Sequence, residues 1–211
     1  PWTRAVVADT NALGADLIVV TGDMIDGAID DRAPDVAPLR GLRARDGVYV
    51  IPGNHEYFFG HDAWMQYFAG LGMIALDNSH AVLERNGAKL VLAGVTDVTA
   101  PNTGLPAPDV AQALKGAPPN TAIVLLDHQP RNARHAAALG ADLQLSGHTH
   151  GGLIAGLDQL FALANGGFVS GLYDVDGMQL YVNNGTALWP GLALRLGRPS
   201  ELTRITLRKS T

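Results

Sequence analysis

The chain has 211 residues, enough to bury a substantial core within one domain. Hydrophobic residues make up 47% and charged residues 17%, which excludes a disordered chain, and a net charge of −5 argues against a nucleic-acid partner held by a broad basic surface. It has no cysteine, so any metal site must draw on His, Asp, Glu and Asn, the ligand set of Zn, Mn or Fe.

Taken in chain order, residues 3–13 predict a helix. "DLIVVTGD" (16–23) reads as a buried strand running into a turn, and "GVYVIPGNHE" (47–56) repeats that shape. In 61–71, Trp64, Tyr67, Phe68 and Leu71 fall on one helical face and predict core. "AKLVLAGVTD" (88–97), "TAIVLLDHQP" (121–130) and "ADLQLSGHTH" (141–150) are three more apolar strands ending in polar turns. Continuous runs of this kind suit strands covered on both faces. Asp109 predicts the cap of a helix through Leu114, and 131–139 predicts a helix stopped by Gly140. The stretch 153–168 reads as core plus loop, with a pocket wall or a lipid-touching surface as the alternative. Residues 167–186 read as a hairpin turning at Asp176-Gly177, and 201–209 as a closing strand. No run is apolar for long enough to span a bilayer. The fold class is α/β, one domain over 1–211, with sheets and flanking helices.

In such folds, polar residues at the carboxyl ends of strands converge on one crevice. Here they include Asp23, Asn54 with His55, His128, and His148 with His150. A single one would read as a turn or a cap. Four turns of this type after four apolar strands point to a metal centre. His61, His80 and His135 read as bland surface or structural residues.

"GDMID" (22–26), "GNHE" (53–56), "DHQP" (127–130) and "GHTHGG" (147–152) together resemble the calcineurin-like metallophosphoesterase family. Its pattern is D-x-H, then G-D-x-x-D, G-N-H-[DE], a later His and G-H-x-H. The tail 185–207 resembles the bacterial, often membrane-associated branch. The resemblance implies a layered β-sandwich with helices, and hydrolysis of a phosphoester, a phosphodiester or pyrophosphate linkage, by water activated between two divalent ions (Mn, Zn or Fe). It implies Asp23 as the bridging carboxylate, Asn54, His128 and His148 on the second ion, and His150 on the first. His55 would act on the phosphoryl group or the leaving oxygen. Asp26 and Glu56 would orient histidines, or would simply cap turns.

No histidine precedes His55, so the family's D-x-H is absent, and the first strand is expected to be missing with it. The expectation is then a chain cut short at Pro1 that holds one ion better than two, with impaired hydrolysis as the alternative outcome. The implied substrate is a phosphorylated small molecule or a lipid-linked phosphate. Location is open between bacterial cytoplasm and membrane association through a segment before Pro1. Leu153 stands where relatives in this branch often carry Gln.

Overall fold

The computed structural model of the chain describes residues 1–156, 158–189 and 191–208. Two sheets lie face to face between helices. The first contains three parallel strands, β1 (Ile18–Val20), β2 (Val48–Val50) and β3 (Ile74–Ala75), in the order β1-β2-β3. The second runs β4-β5-β6-β7-β9-β8. It is built from β4 (Ser79–Arg85), β5 (Ala88–Gly94), β6 (Ala122–Leu126), β7 (Leu143–Ser146), β8 (Gly171–Val175) and β9 (Met178–Val182). Its inner strands β5, β6, β7 and β9 are parallel, and β4 and β8 close the two edges antiparallel.

Strand alternation builds the layers, because successive side chains point to opposite faces. In β2, Val48 and Val50 join Trp64, Met65 and Phe68 of α4 (His61–Gly70) on the outer face of the first sheet. Tyr49 and Ile51 point the other way and meet Leu92, Val124 and Leu126 between the sheets. Val91, Ala93 and Leu125 face outward from the second sheet. They pack against Val110 and Ala113 of α5 (Val110–Ala113) and Ala133 and Ala136 of α6 (Ala133–Ala138). The continuous apolar runs of the sequence are thus explained: each of these strands is covered twice.

The expected helix at 3–13 is α1 (Trp2–Ala12), and α2 (Ile29–Val36) was not foreseen. Asp109 caps α5 through the N–H of Gln112, as the sequence suggested. The hairpin turns at Asp176-Gly177 between β8 and β9. Three expectations fail. Residues 201–208 form no strand: Leu202, Ile205 and Leu207 are exposed, and no ladder partner meets them among the described residues; Lys209 lies outside the described residues. "GNHE" is not a plain turn, since Asn54 opens α3 (Asn54–Phe58). The stretch 153–168 contains α7 (Asp158–Ala164), whose leucines face solvent rather than the core. Among the described residues no helix is long and apolar enough to cross a membrane.

Candidate metal centre

The parallel strands β1, β2, β6 and β7 end on the same side, and the loops leaving them meet. Their approach depends on two glycines set back to back. A side-chain carbon on Gly22 would lie 2.4 Å from the backbone nitrogen of Gly53, and one on Gly53 would lie 2.2 Å from the Asp23 carboxylate. Any larger residue at either position would push the first two loops apart.

Inside this junction, four side-chain atoms converge. His128 Nε2 is 3.1 Å from Asp23 Oδ2 and 3.1 Å from Asn54 Oδ1. His148 Nδ1 is 2.9 Å from Asn54 Oδ1 and 3.2 Å from His128 Nε2. Donor atoms bonded at roughly 2.0–2.2 Å to one small cation stand about this far from one another. One carboxylate, one amide oxygen and two imidazoles also suit a borderline divalent ion. The residues therefore fit a metal.

Each ligand atom is aimed by a second contact. His128 donates Nδ1–H to the carbonyl of Thr21 at 2.6 Å, which leaves Nε2 facing the cluster. The Asp23 carboxylate accepts the N–H of His55 at 2.9 Å through its other oxygen. Glu56 is fully buried and accepts three backbone N–H groups, from Gly53 at 2.7 Å and from Asp23 and Met24 at 2.9 Å each. It closes the N-terminus of α3 and ties the loop after β1 to the loop after β2. His55 Nδ1 lies 3.0 Å from Asp26 Oδ1, and its ring sits beside Phe58 and Phe59. Among the described residues nothing bonds its Nε2.

Backbone strain gathers at the same place. Asp23, His148 and His150 adopt φ of 54°, 68° and 50°, and Leu153 adopts 60°. Such left-handed conformations cost a non-glycine residue about 1 kcal/mol or more each, and they persist where surrounding structure enforces them.

The electrostatics agree with a cation site. Burial alone would depress His128, but the Asp23 carboxylate overrides it and pushes the imidazole up to about 10. Burial would raise Asp23, yet His128 and His55 hold it well below the usual carboxylate range. Burial, then the charge on His128, lowers His148 to about 4. Burial, then Arg195, lowers His150 to about 4, so both imidazoles are neutral near pH 7 and free to act as ligands.

His150 lies outside the tight cluster of Asp23, His128 and His148 but lines the same cleft of about 230 Å³, together with His55 and Leu153. Beside it stands Arg195, which the sequence did not single out. It donates to the carbonyls of His150, Asn184 and Ala187 at 3.1, 2.7 and 2.6 Å, pinning the tail loop to the histidine turn. The only signal for it lay in its place within the Arg-Leu-Gly stretch of the tail. Asp97 and Asp127, at or just beyond the ends of β5 and β6, are also buried. Asp97 accepts from Thr99 and Gln129, whereas neither oxygen of Asp127 has a partner among the described residues. Burial, with Asp97 adding to it, pushes Asp127 up to about 8. His80 donates its Nδ1–H to the carbonyl of Ala113 at 2.6 Å, and His135 is exposed. His61, expected on the surface, is instead stacked on Tyr57 at 4.6 Å with its side chain largely covered, because α4 begins against α3.

Residues 3–152 match the family model described as calcineurin-like phosphoesterase. A Danio rerio protein named "Transmembrane protein with metallophosphoesterase domain" is 35% identical over 98% of this chain and 49% of its own length. An "Uncharacterized metallophosphoesterase" of Helicobacter pylori is 34% identical over 98% of this chain and 55% of its own. The chain thus spans about half the length of these relatives. Among solved structures, NAD nucleotidase of Haemophilus influenzae shares the fold with a TM-score of 0.59 at 20% identity, over 87% of this chain and 43% of that one.

Proposed function

Because the chain belongs to the calcineurin-like phosphoesterase family, we propose that it hydrolyses a phosphoester at the cleft over Asp23, Asn54, His128 and His148. The observation that carries this reading is the convergence of these four donor atoms with His55 at the cleft wall. When bound, a divalent ion at these donors would neutralise phosphate charge and acidify water enough to supply hydroxide near neutral pH. The protein's own residues do the rest. Glu56 and the back-to-back glycines hold the two loops in register. Asp26 takes the Nδ1–H of His55 and turns Nε2 toward the cleft, where it can stabilise charge on the phosphoryl group or give a proton to a poorer leaving oxygen.

In the finer form of this proposal Asp23 would serve two ions. Within this chain the first ion would draw on Asp23 and His150, with the Arg195 guanidinium 3.5 Å from His150 Nδ1. Two protein ligands and a neighbouring cation make its site the weaker of the two. A phosphodiester is the proposed linkage, and the Danio rerio relative named as a transmembrane protein supports a working place near a membrane.

The test is hydrolysis of bis(p-nitrophenyl) phosphate with Mn²⁺ or Zn²⁺, before and after His55→Ala. Turnover that needs the metal and drops about a hundredfold or more in the variant supports the proposal. Metal binding with no turnover in either protein supports a binding domain instead.

A further inference from the structure

The floor of the cleft is polar, but its walls are not. Beside the histidines it is lined by Phe58, Leu153, Phe161 and Trp189, with no lysine or arginine among the lining residues. Two of the polar lining groups point donors elsewhere: Thr149 donates its hydroxyl to the carbonyl of Val169, and Asn165 its amide N–H to that of Phe161, its own Oδ1 being buried with no partner among the described residues. Arg195, the nearest cation, is committed to backbone carbonyls. A nucleotide or sugar phosphate needs donors and acceptors for its base or hydroxyls. These walls offer few.

Beyond the mouth, the apolar character continues outward. α7 sits directly on the histidine turn, where a side-chain carbon at Gly152 would lie 2.6 Å from Asp158. The helix buries Asp158 and Ala162 and sends Phe161 to the cleft. That leaves Leu160 66% and Leu163 82% exposed, with Phe58 at 60% and Leu188 at 50%. Isolated exposed leucines need no explanation, but an apolar surface continuous with a ligand cleft does.

We propose that this cleft takes a phosphoester bearing a long apolar chain, with the phosphate at the histidine cluster and the chain laid past Phe161 and Trp189 onto α7. The inference rests on the phosphoesterase reading above. The phosphate supplies the charge that the metal donors answer, and the chain covers surface that would otherwise face water.

Two chromogenic phosphodiesters test it, p-nitrophenyl methyl phosphate and p-nitrophenyl octyl phosphate. They share one leaving group and one linkage and differ in the tail. In both, the oxygen of water bonds to phosphorus and the bond from phosphorus to the nitrophenyl oxygen breaks. Its electron pair leaves with nitrophenolate, and the two protons of water pass to solvent and the phosphate product. The expected result is a kcat/KM for the octyl ester about tenfold or more above that of the methyl ester, since each buried methylene adds affinity. The double variant Leu160→Gln, Leu163→Gln, both at exposed positions, should narrow that ratio severalfold. Calorimetry of octyl phosphate against methyl phosphate reads the same preference without turnover. Equal rates for the two esters overturn the inference and leave phosphoester hydrolysis standing. If neither ester is hydrolysed, the phosphoesterase reading fails. A tenfold tighter binding of octyl phosphate then still supports an amphiphilic ligand, and equal binding overturns it.

Discussion

The buried carboxylate of Glu56 accepts the backbone N–H of Asp23 at 2.9 Å, joining two loops 33 residues apart in the chain. Through Met24 and Gly53 it makes two more such bonds. One side chain therefore sets the distance between the loop that carries Asp23 and the helix that carries Asn54. Glu56→Ala would leave three buried donors without an acceptor, at about 1–3 kcal/mol each. Metal affinity should fall on the order of tenfold to hundredfold, as it does when groups behind ligands are removed. Glu56→Gln keeps the shape but turns an N–H toward at least one donor, so its loss should be smaller. Metal titration by calorimetry, with thermal melts, checks both.

Asp26 touches His55 and none of the four converging donor atoms. Asp26→Ala should therefore lower kcat about tenfold to hundredfold with little change in metal affinity. The variant should also alter the pH–rate profile, because His55 loses the carboxylate that fixes its tautomer. A loss of bound metal instead would assign Asp26 to the metal rather than to His55.

Metal binding at pH 7 should release about one proton per tightly bound ion, because His128, pushed up to about 10, must give up its proton to become a ligand. Calorimetry in buffers of different ionisation enthalpy reads that number. The metal-free chain should behave differently on acidification. His148 and His150 are lowered to about 4 when folded and return to an ordinary imidazole when unfolded. Between roughly pH 6.5 and 4 the unfolded chain binds more protons, so stability is lost as the pH drops through that window. Changing both to Asn should flatten that limb of the melting-temperature profile in the presence of chelator.

Asp127 gives a stability prediction of opposite sign. Its folded value of about 8 lies above the ordinary 3.8, so the folded state binds the extra proton and stability falls as pH rises between those values. Asp127→Asn removes the ionisation while keeping the shape. It should raise the melting temperature at pH 8 and leave it nearly unchanged at pH 4.

The sequence showed β2, β5 and β6 because both faces of each are buried, and burial on two faces writes itself as continuous Val, Ile and Leu. It showed the ligand types because metal chemistry restricts them, and their order matched a known pattern. Other features were less legible. The orientation of Glu56 toward three N–H groups depends on loop approach that no local pattern encodes. Arg195 acts on backbone carbonyls, which carry no side-chain signature. The stretch holding α7 was read as core plus loop ahead of a pocket wall or lipid-touching surface, because composition cannot say which way an apolar face points. The tail 201–208 alternates like a strand, but alternation makes a strand only where a neighbour offers a ladder.

The most direct measurement of the central claim is the metal content and phosphodiesterase rate of the wild-type chain beside His148→Ala and Asn54→Ala, after reconstitution with Mn²⁺ or Zn²⁺. The account predicts at least one tightly held ion in the wild type, lost in both variants together with turnover of bis(p-nitrophenyl) phosphate. A wild-type chain that binds no ion, or variants that keep both the ion and the rate, would contradict it.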